Sequence, residues 1–495
     1  MKQTSVFFSI IASILLISCE KTSPVTENAH FPSKVEKVFR ASCTNVGCHS
    51  GQESGEFDLT NWNTAFLGAE GTGADIVPYN ADWSHLFQHI NTFSDLGLQV
   101  TEDDAMPPLP YNKLGREEVL TIRQWIVEGA KNDKGESYWA NREVSTHDKV
   151  FVLCSGSDLI AVIDIPTNKI MRYIPVGVSA DKKEAPHFIK LSPDGLYIYV
   201  SLIDGQLLEK YRTDNYSFVG RVEVAANPAL LAINQDGSRL LSTHWNNDDQ
   251  AARVTLIDAS TMTILDVAVS DAPLAHGLAV SSDFRTLYIT PNNGNFYAKY
   301  TLSADLKHFE SEDKYPLNPA EPVPSSSNKY YPYQAILDEE NARLFITCRN
   351  THEVRVFNTN THSLTNTIVV DSVPRLLVLD AENKHLFVAC ANAKNEAEQG
   401  AIRGCVAVIN TETMTLEKKI YHLGHRPHGL KLDKKHNYLF VSSENTAGVD
   451  PPHHPTQGTT DPPGKVNTVD LNTLEAIHSL ETDVAGFPTS VEATE

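Results

Sequence analysis

The chain is short of positive charge. Lysine and arginine number 41 against 62 aspartates and glutamates, a formal charge of −21 over 495 residues. Nucleic-acid phosphates and anionic lipid headgroups both need basic surfaces, so this balance excludes nucleic acid as a partner. Methionine is scarce: the chain has five, and Met106 alone falls between Glu20 and Ile170. Beyond the N-terminal segment no apolar run is long enough to cross a bilayer. Glycine and proline, 26 each, stay near average usage, which excludes a collagen-like or low-complexity chain. No nucleophile–base pair, phosphate-cradling loop or paired carboxylates stand at a spacing that names a catalyst. What remains is globular: hydrophobic residues make 41% and charged residues 21%, and the length suits two or three domains, or one large β fold with a smaller unit.

Residues 1–19 read as a targeting segment. Lys2 supplies the positive start, and Val6 to Ile17 form an apolar run too short for a permanent span. The run ends in Leu16-Ile17-Ser18-Cys19, which resembles the lipobox of bacterial lipoproteins. The resemblance implies that Cys19 carries lipid, and that the body is exported and tethered to a membrane by that lipid, on the periplasmic or the cell-surface side. An ordinary secretory signal is the alternative. Of the seven cysteines, Cys43 and Cys48 form a local pair, and Cys154, Cys348, Cys390 and Cys405 lie further on. An exported compartment permits disulfides, so Cys390 and Cys405 either bridge neighbouring strands of one hairpin or serve as small buried hydrophobes.

Two regions follow with different patterning. Residues 20–135 read as short helices separated by long loops. Ser33-Lys-Val-Glu36 has the form of a capping box, and Val35, Val38 and Phe39 then share one face. A second amphipathic helix is expected over 116–130, with Val119, Ile122, Ile126 and Gly129 on one face and Trp125 beside it. Residues 136–147 read as a linker. From 148 to 495 the pattern becomes short β runs with turn signals, and it repeats: Ala185-Pro-His-Phe-Ile-Lys-Leu matches Arg426-Pro-His-Gly-Leu-Lys-Leu. Strand openings recur at Pro186, Pro228, Ala275, Pro332, Pro374, Pro427 and Pro488, a unit of roughly the length of a four-stranded propeller blade. The first blade, from Val150, lacks an opening strand, and Phe487-Pro-Thr-Ser-Val-Glu-Ala493 is an opening strand without a blade. Joining the two closes a ring of seven. The runs Leu196-Tyr-Ile-Tyr-Val-Ser201, Arg285-Thr-Leu-Tyr-Ile-Thr290 and Tyr438-Leu-Phe-Val-Ser442 resemble the YVTN repeats of seven-bladed propellers. That likeness is specific for fold and weak for function. The expected architecture is a small all-α domain followed by an all-β seven-bladed propeller.

The strongest chemical signal is Cys43-Thr-Asn-Val-Gly-Cys48-His49. A c-type haem needs two thiols for thioether bonds and an adjacent histidine for the iron. The common spacing places two residues between the cysteines, and here there are four. Met106 sits in Asp103-Asp-Ala-Met-Pro-Pro108, ahead of the second helix. The order of helix, Cys-x4-Cys-His, Met-Pro-Pro loop and helix resembles the small cytochrome c domains fused to propellers in exported bacterial proteins. That resemblance implies one covalent haem c on Cys43 and Cys48, with His49 and Met106 as axial iron ligands, a pairing that suits electron transfer. A Cys43–Cys48 disulfide, or zinc held with His85 or His89, remains an alternative for the same residues, and the two histidines also compete with Met106.

At the start of each innermost strand a propeller lines its central channel. The positions are His187, Ala229, His276, Tyr333, Arg375, His428 and Thr489, and the ends of the second strands add Cys154, His244, Cys348 and Cys390. His187, His244, His276 and His428 with Arg375 make a candidate mouth that could hold a second metal or an anionic substrate. Alternatively it is a polar funnel whose histidines satisfy backbone carbonyls. A loop from Glu444 to Lys465, containing Pro451-Pro-His-His-Pro455, belongs to the same face. The expected function is one-electron transfer to a redox partner protein, with the propeller as docking or substrate-binding platform. A redox enzyme with a second cofactor at the mouth is the alternative, and a non-redox binding scaffold a further one.

Overall fold

A computed structural model describes residues 29–51, 57–68, 73–246, 252–269, 272–321, 329–394, 403–445 and 463–494. The expectations for Cys19 and for Pro451-Pro-His-His-Pro455 lie outside these residues. No described helix is long and apolar enough to cross a membrane.

Residues 29 to 143 carry helices α1 (Ser33–Ser42), α2 (Trp62–Leu67), α3 (His85–Ile90), α4 (Arg116–Val127) and α5 (Ala140–Glu143). Val35, Val38 and Phe39 face inward on α1, and Val119, Ile122, Trp125 and Ile126 on α4. Phe31, Phe39 and Trp125 meet edge to face at 4.9–6.0 Å between ring centres, which locks α1 against α4. The expected capping box on α1 does not form. Pro32 occupies the N-cap, and the Glu36 carboxylate turns to Arg40, whose Nε donates to it at 2.8 Å. Helix α4 stops at Val127 instead of running to 130, because Gly129 takes φ +99° and Ala130 φ +49°, outside the helical range.

The segment after α4 is tightly packed. Tyr138 stacks on Phe66 at 4.6 Å and Trp139 is fully buried beside them. Arg142 Nε donates to Asp164 Oδ1 at 2.6 Å in the first blade. One apolar core runs from α1 and α4 through Trp139 into Phe151, Leu153 and Ile160, so the helices and the first two blades share their interior.

Residues 149–494 form a seven-bladed propeller. Each blade is an antiparallel sheet, six of them with their strands in sequence order, and the seventh carries an extra short strand, Thr482–Val484, on Gly464–Asp470. The innermost strands begin at Pro186, Pro228, Ala275, Pro332, Pro374, Pro427 and Pro488, as the repeat spacing predicts, and each touches the next around a closed ring. Proline suits this place because it presets φ and the first residue of a strand needs no ladder donor. The final strand, Pro488–Thr494, pairs antiparallel with Lys149–Cys154, and those with Leu159–Asp164 and Lys169–Pro175 complete the first blade. The closure expected from the C-terminal tail is therefore present, and it removes the open edge that an unclosed sheet would expose.

Candidate functional site

The turn after α1 places the Cys-x4-Cys-His run. Cys43 caps α1 with its N–H on Phe39 O, Cys48 N–H returns to Asn45 O, and His49 N–H donates to Cys43 O at 3.1 Å. The loop therefore coils back on itself and holds both thiols and the imidazole on one turn. His49 Nδ1 lies 2.9 Å from Phe57 O. A carbonyl only accepts, so Nδ1 carries the proton and Nε2 is left bare in the neutral ring, the form a metal-ligating histidine takes.

Met106 arrives from a separate loop. Its N–H donates to His89 O at 2.7 Å, and Lys113 Nζ bonds the carbonyls on either side of it, Ala105 O at 2.5 Å and Pro107 O at 2.8 Å. The lysine brace is a positioning feature that the sequence reading missed. Cys43, Cys48, His49 and Met106 together line one cavity of about 460 Å³, walled further by Phe57, Leu59, Leu86, Ile90, Pro107 and Pro108. Burial, with Cys48 and then Glu118 nearby, pushes the Cys43 thiol up to about 12. His85 and His89 also border the cavity. Burial lowers His85, and His89 Nδ1 is held on Asp104 O at 3.0 Å. Asp75, which no motif pointed to, closes the wall and meets Lys169 of the first blade.

Of the residues expected at the propeller mouth, the structure gathers most. His187, Ala229, His276, Tyr333, Arg375, His428 and Thr489 are all at most 1% exposed. His187 Nε2 and His276 Nε2 stand 3.1 Å apart, and Tyr333 Oη lies 3.1 Å from His428 Nε2. His276 Nδ1 faces Tyr333 O at 3.1 Å and His428 Nδ1 faces Thr489 O at 2.5 Å, so both donate to backbone carbonyls, as a polar funnel requires. Burial, then Arg375, holds His428 well below the usual histidine range. His244 is elsewhere. It bonds Thr255 Oγ1 at 2.7 Å and Ala226 O at 3.3 Å, and burial takes it down to about 4. Among the described residues no group of three or more His, Cys, Asp or Glu side chains is placed to hold a metal ion.

Cys154, Cys348, Cys390 and Cys405 are buried free thiols. Cys390 and Cys405 sit directly opposite in register on neighbouring strands, the placement expected of them, and hydrogen-bond without a covalent bond. Sequence reading missed Glu444 and Arg426, which pair with each other beside Arg375.

No protein-family model matches the chain, and no curated protein matches it either. Among solved structures the chain is similar to a functionally unknown protein from Desulfotomaculum acetoxidans DSM 771, with 13% identity and a TM-score of 0.51 over 70% of this chain and 99% of that one. It is also similar to dihydro-heme d1 dehydrogenase NirN in complex with DHE, with 13% identity and a TM-score of 0.47 over 93% and 98%. A third is apo AztD from Citrobacter koseri, with 12% identity and a TM-score of 0.45 over 69% and 96%. At these identities the likeness bears on fold alone. The class is a seven-bladed β-propeller preceded by a short helical region.

Proposed function

We propose that the protein is an exported, lipid-anchored c-type haem protein that passes single electrons to or from a partner protein, with the propeller as its platform. The observation that carries this reading is the meeting of Cys43, Cys48, His49 and Met106 on one largely apolar cavity of about 460 Å³. Those four residues supply the donor set the group needs: two thiols for covalent attachment, an imidazole with its Nε2 bare, and a thioether. A zinc site suits the cavity less well: His85, His89 and Asp75 border it, but among the described residues no three or more His, Cys, Asp or Glu side chains are placed together to hold a metal ion. A covalent haem supplies one-electron chemistry at an iron whose potential is raised by His/Met ligation. The chain's own contribution is to hold the donors, exclude water and orient the site. Phe57 O fixes the His49 ring, Lys113 braces the Met106 loop, and Leu59, Leu86 and Ile90 keep the interior dry.

The test is a reduced-minus-oxidised visible spectrum of the mature protein, produced in a host that attaches c-type haem. A c-type spectrum that is lost in Cys43→Ser with Cys48→Ser is the expected result. A colourless protein from a competent host would overturn the reading and return the two cysteines to a disulfide or metal pair.

A further inference from the structure

Arg375 is the second residue of the innermost strand Pro374–Asp380, and its side chain is completely buried. Its Nη1 donates to Glu444 Oε1, while Arg426 Nε donates to Glu444 Oε2 at 2.9 Å. Both oxygens of Glu444 are therefore engaged by a guanidinium. The Nε–H and Nη2–H of Arg375 have no hydrogen-bond partner among the described residues. Those two donors form one edge of the guanidinium plane. Elsewhere in the chain the same edge clamps a carboxylate: Arg212 Nε and Nη2 hold Asp214, and Arg343 Nε and Nη2 hold Asp338. At Arg375 the fork is formed, enclosed and empty-handed. Burying charged donors without an acceptor is costly.

The surroundings favour an anion. Arg349 lies beside the site with its guanidinium 5.1 Å from the Tyr333 ring centre, and burial followed by the nearby Arg375 lowers it. Three guanidiniums, of Arg349, Arg375 and Arg426, thus gather around Glu444, the carboxylate that the described residues place among them. His428 also lies near Arg375, and burial followed by Arg375 holds it well below the usual histidine range. Tyr333 Oη, next to His428, adds a hydroxyl to the same wall. An unengaged bidentate N–H edge selects an acceptor with two coplanar oxygens.

We propose that the propeller axis binds a small planar oxyanion, a short carboxylate or a nitrogen oxyanion, on the free Nε/Nη2 edge of Arg375. The bidentate edge sets the shape, because two parallel N–H donors match two coplanar oxygens. The site stands apart from the haem reading, and its test does not use haem.

Isothermal titration calorimetry of the mature protein with sodium formate and with sodium nitrite reads it out, with sodium sulfate and sodium chloride as controls. Saturable one-site binding of formate or nitrite is expected, at least tenfold tighter than either control. Arg375→Lys keeps the charge opposite Glu444 but removes the fork, and it should weaken that binding at least tenfold with an unchanged circular dichroism spectrum. If that variant does not fold, the wild-type melting temperature decides. A rise that saturates with formate or nitrite and not with chloride supports the site. No saturable binding and no such rise would overturn the proposal, as would an unchanged affinity in a folded Arg375→Lys protein.

Discussion

The carboxylate of Asp75 and the ammonium of Lys169 lie 3.6 Å apart, and they join the wall of the helical cavity to the first propeller blade. Both side chains are largely buried, and Gly68 packs against the pair. A Cβ at Gly68 would stand 1.9 Å from Asp75 Oδ2 and 2.8 Å from Lys169 Nζ, and the residue holds φ +62°. Gly68→Ala therefore meets a backbone penalty and a displaced ion pair together, and should lower stability by about 1–3 kcal/mol. Urea unfolding measures the loss. In an Asp75→Ala background the tightest clash, with Asp75 Oδ2, disappears, so the same substitution should cost less there.

Met106 is the thioether that lines the cavity among the described residues. On the proposed haem reading, Met106→His should leave the covalent attachment in place and lower the midpoint potential, since thioether ligation raises it. The expected drop is a sizeable fraction of the roughly 0.8 V that axial ligands span. A redox titration followed by absorbance tests this. His89→Leu should leave the potential nearly unchanged, and a drop in that variant equal to that of Met106→His would remove Met106 from its role.

Acid should weaken the fold through His244. Its folded value of about 4 lies below the ordinary 6.5, so the unfolded chain binds more protons between those limits. Stability from this group is then present above pH 6.5 and lost as pH falls toward 4. Urea midpoints at pH 7 and pH 5 should differ less in His244→Asn than in the wild type. An equal or larger difference in the variant would contradict the assignment.

Truncation after Phe487 removes the strand that completes the first blade. Lys149–Cys154 then loses its inner partner and exposes a bare edge at the centre of the ring. Static light scattering after size exclusion should find oligomers or aggregate in the truncated protein and a defined species in the full chain.

The ring was legible because each blade repeats one local problem. Proline at six of the seven strand openings, followed by an alternating strand, marks where the chain turns to the axis, and the unmatched tail at Phe487 supplies the missing strand. The cavity was legible in its donors, since Cys43, Cys48, His49 and Met106 announce themselves by type. Their supports were not. Nothing local in sequence brings Lys113 to Ala105 O, or Asp75 to Lys169. Ser33 misled because Pro32 precedes it and Arg40 takes the Glu36 carboxylate, so a short-range pattern lost to its neighbours. At the axis the spacing predicts His187, His276 and His428 together, and fails for His244, whose ring turns between strands toward Thr255. The free edge of Arg375 depends on which of its atoms Glu444 occupies, and that is a property of three dimensions.

The pairing of Lys149 with Thr494, whose Oγ1 accepts the Lys149 N–H at 3.0 Å across a separation of 345 residues, sets an order of events during synthesis. The first blade cannot be finished until Pro488–Thr494 has left the ribosome. Until then the growing protein carries an open arc of blades whose leading edge has waited since its beginning. Newly made chains are therefore most vulnerable to one another before the closing strand Pro488–Thr494 arrives, which is when shielding of that strand edge would matter most.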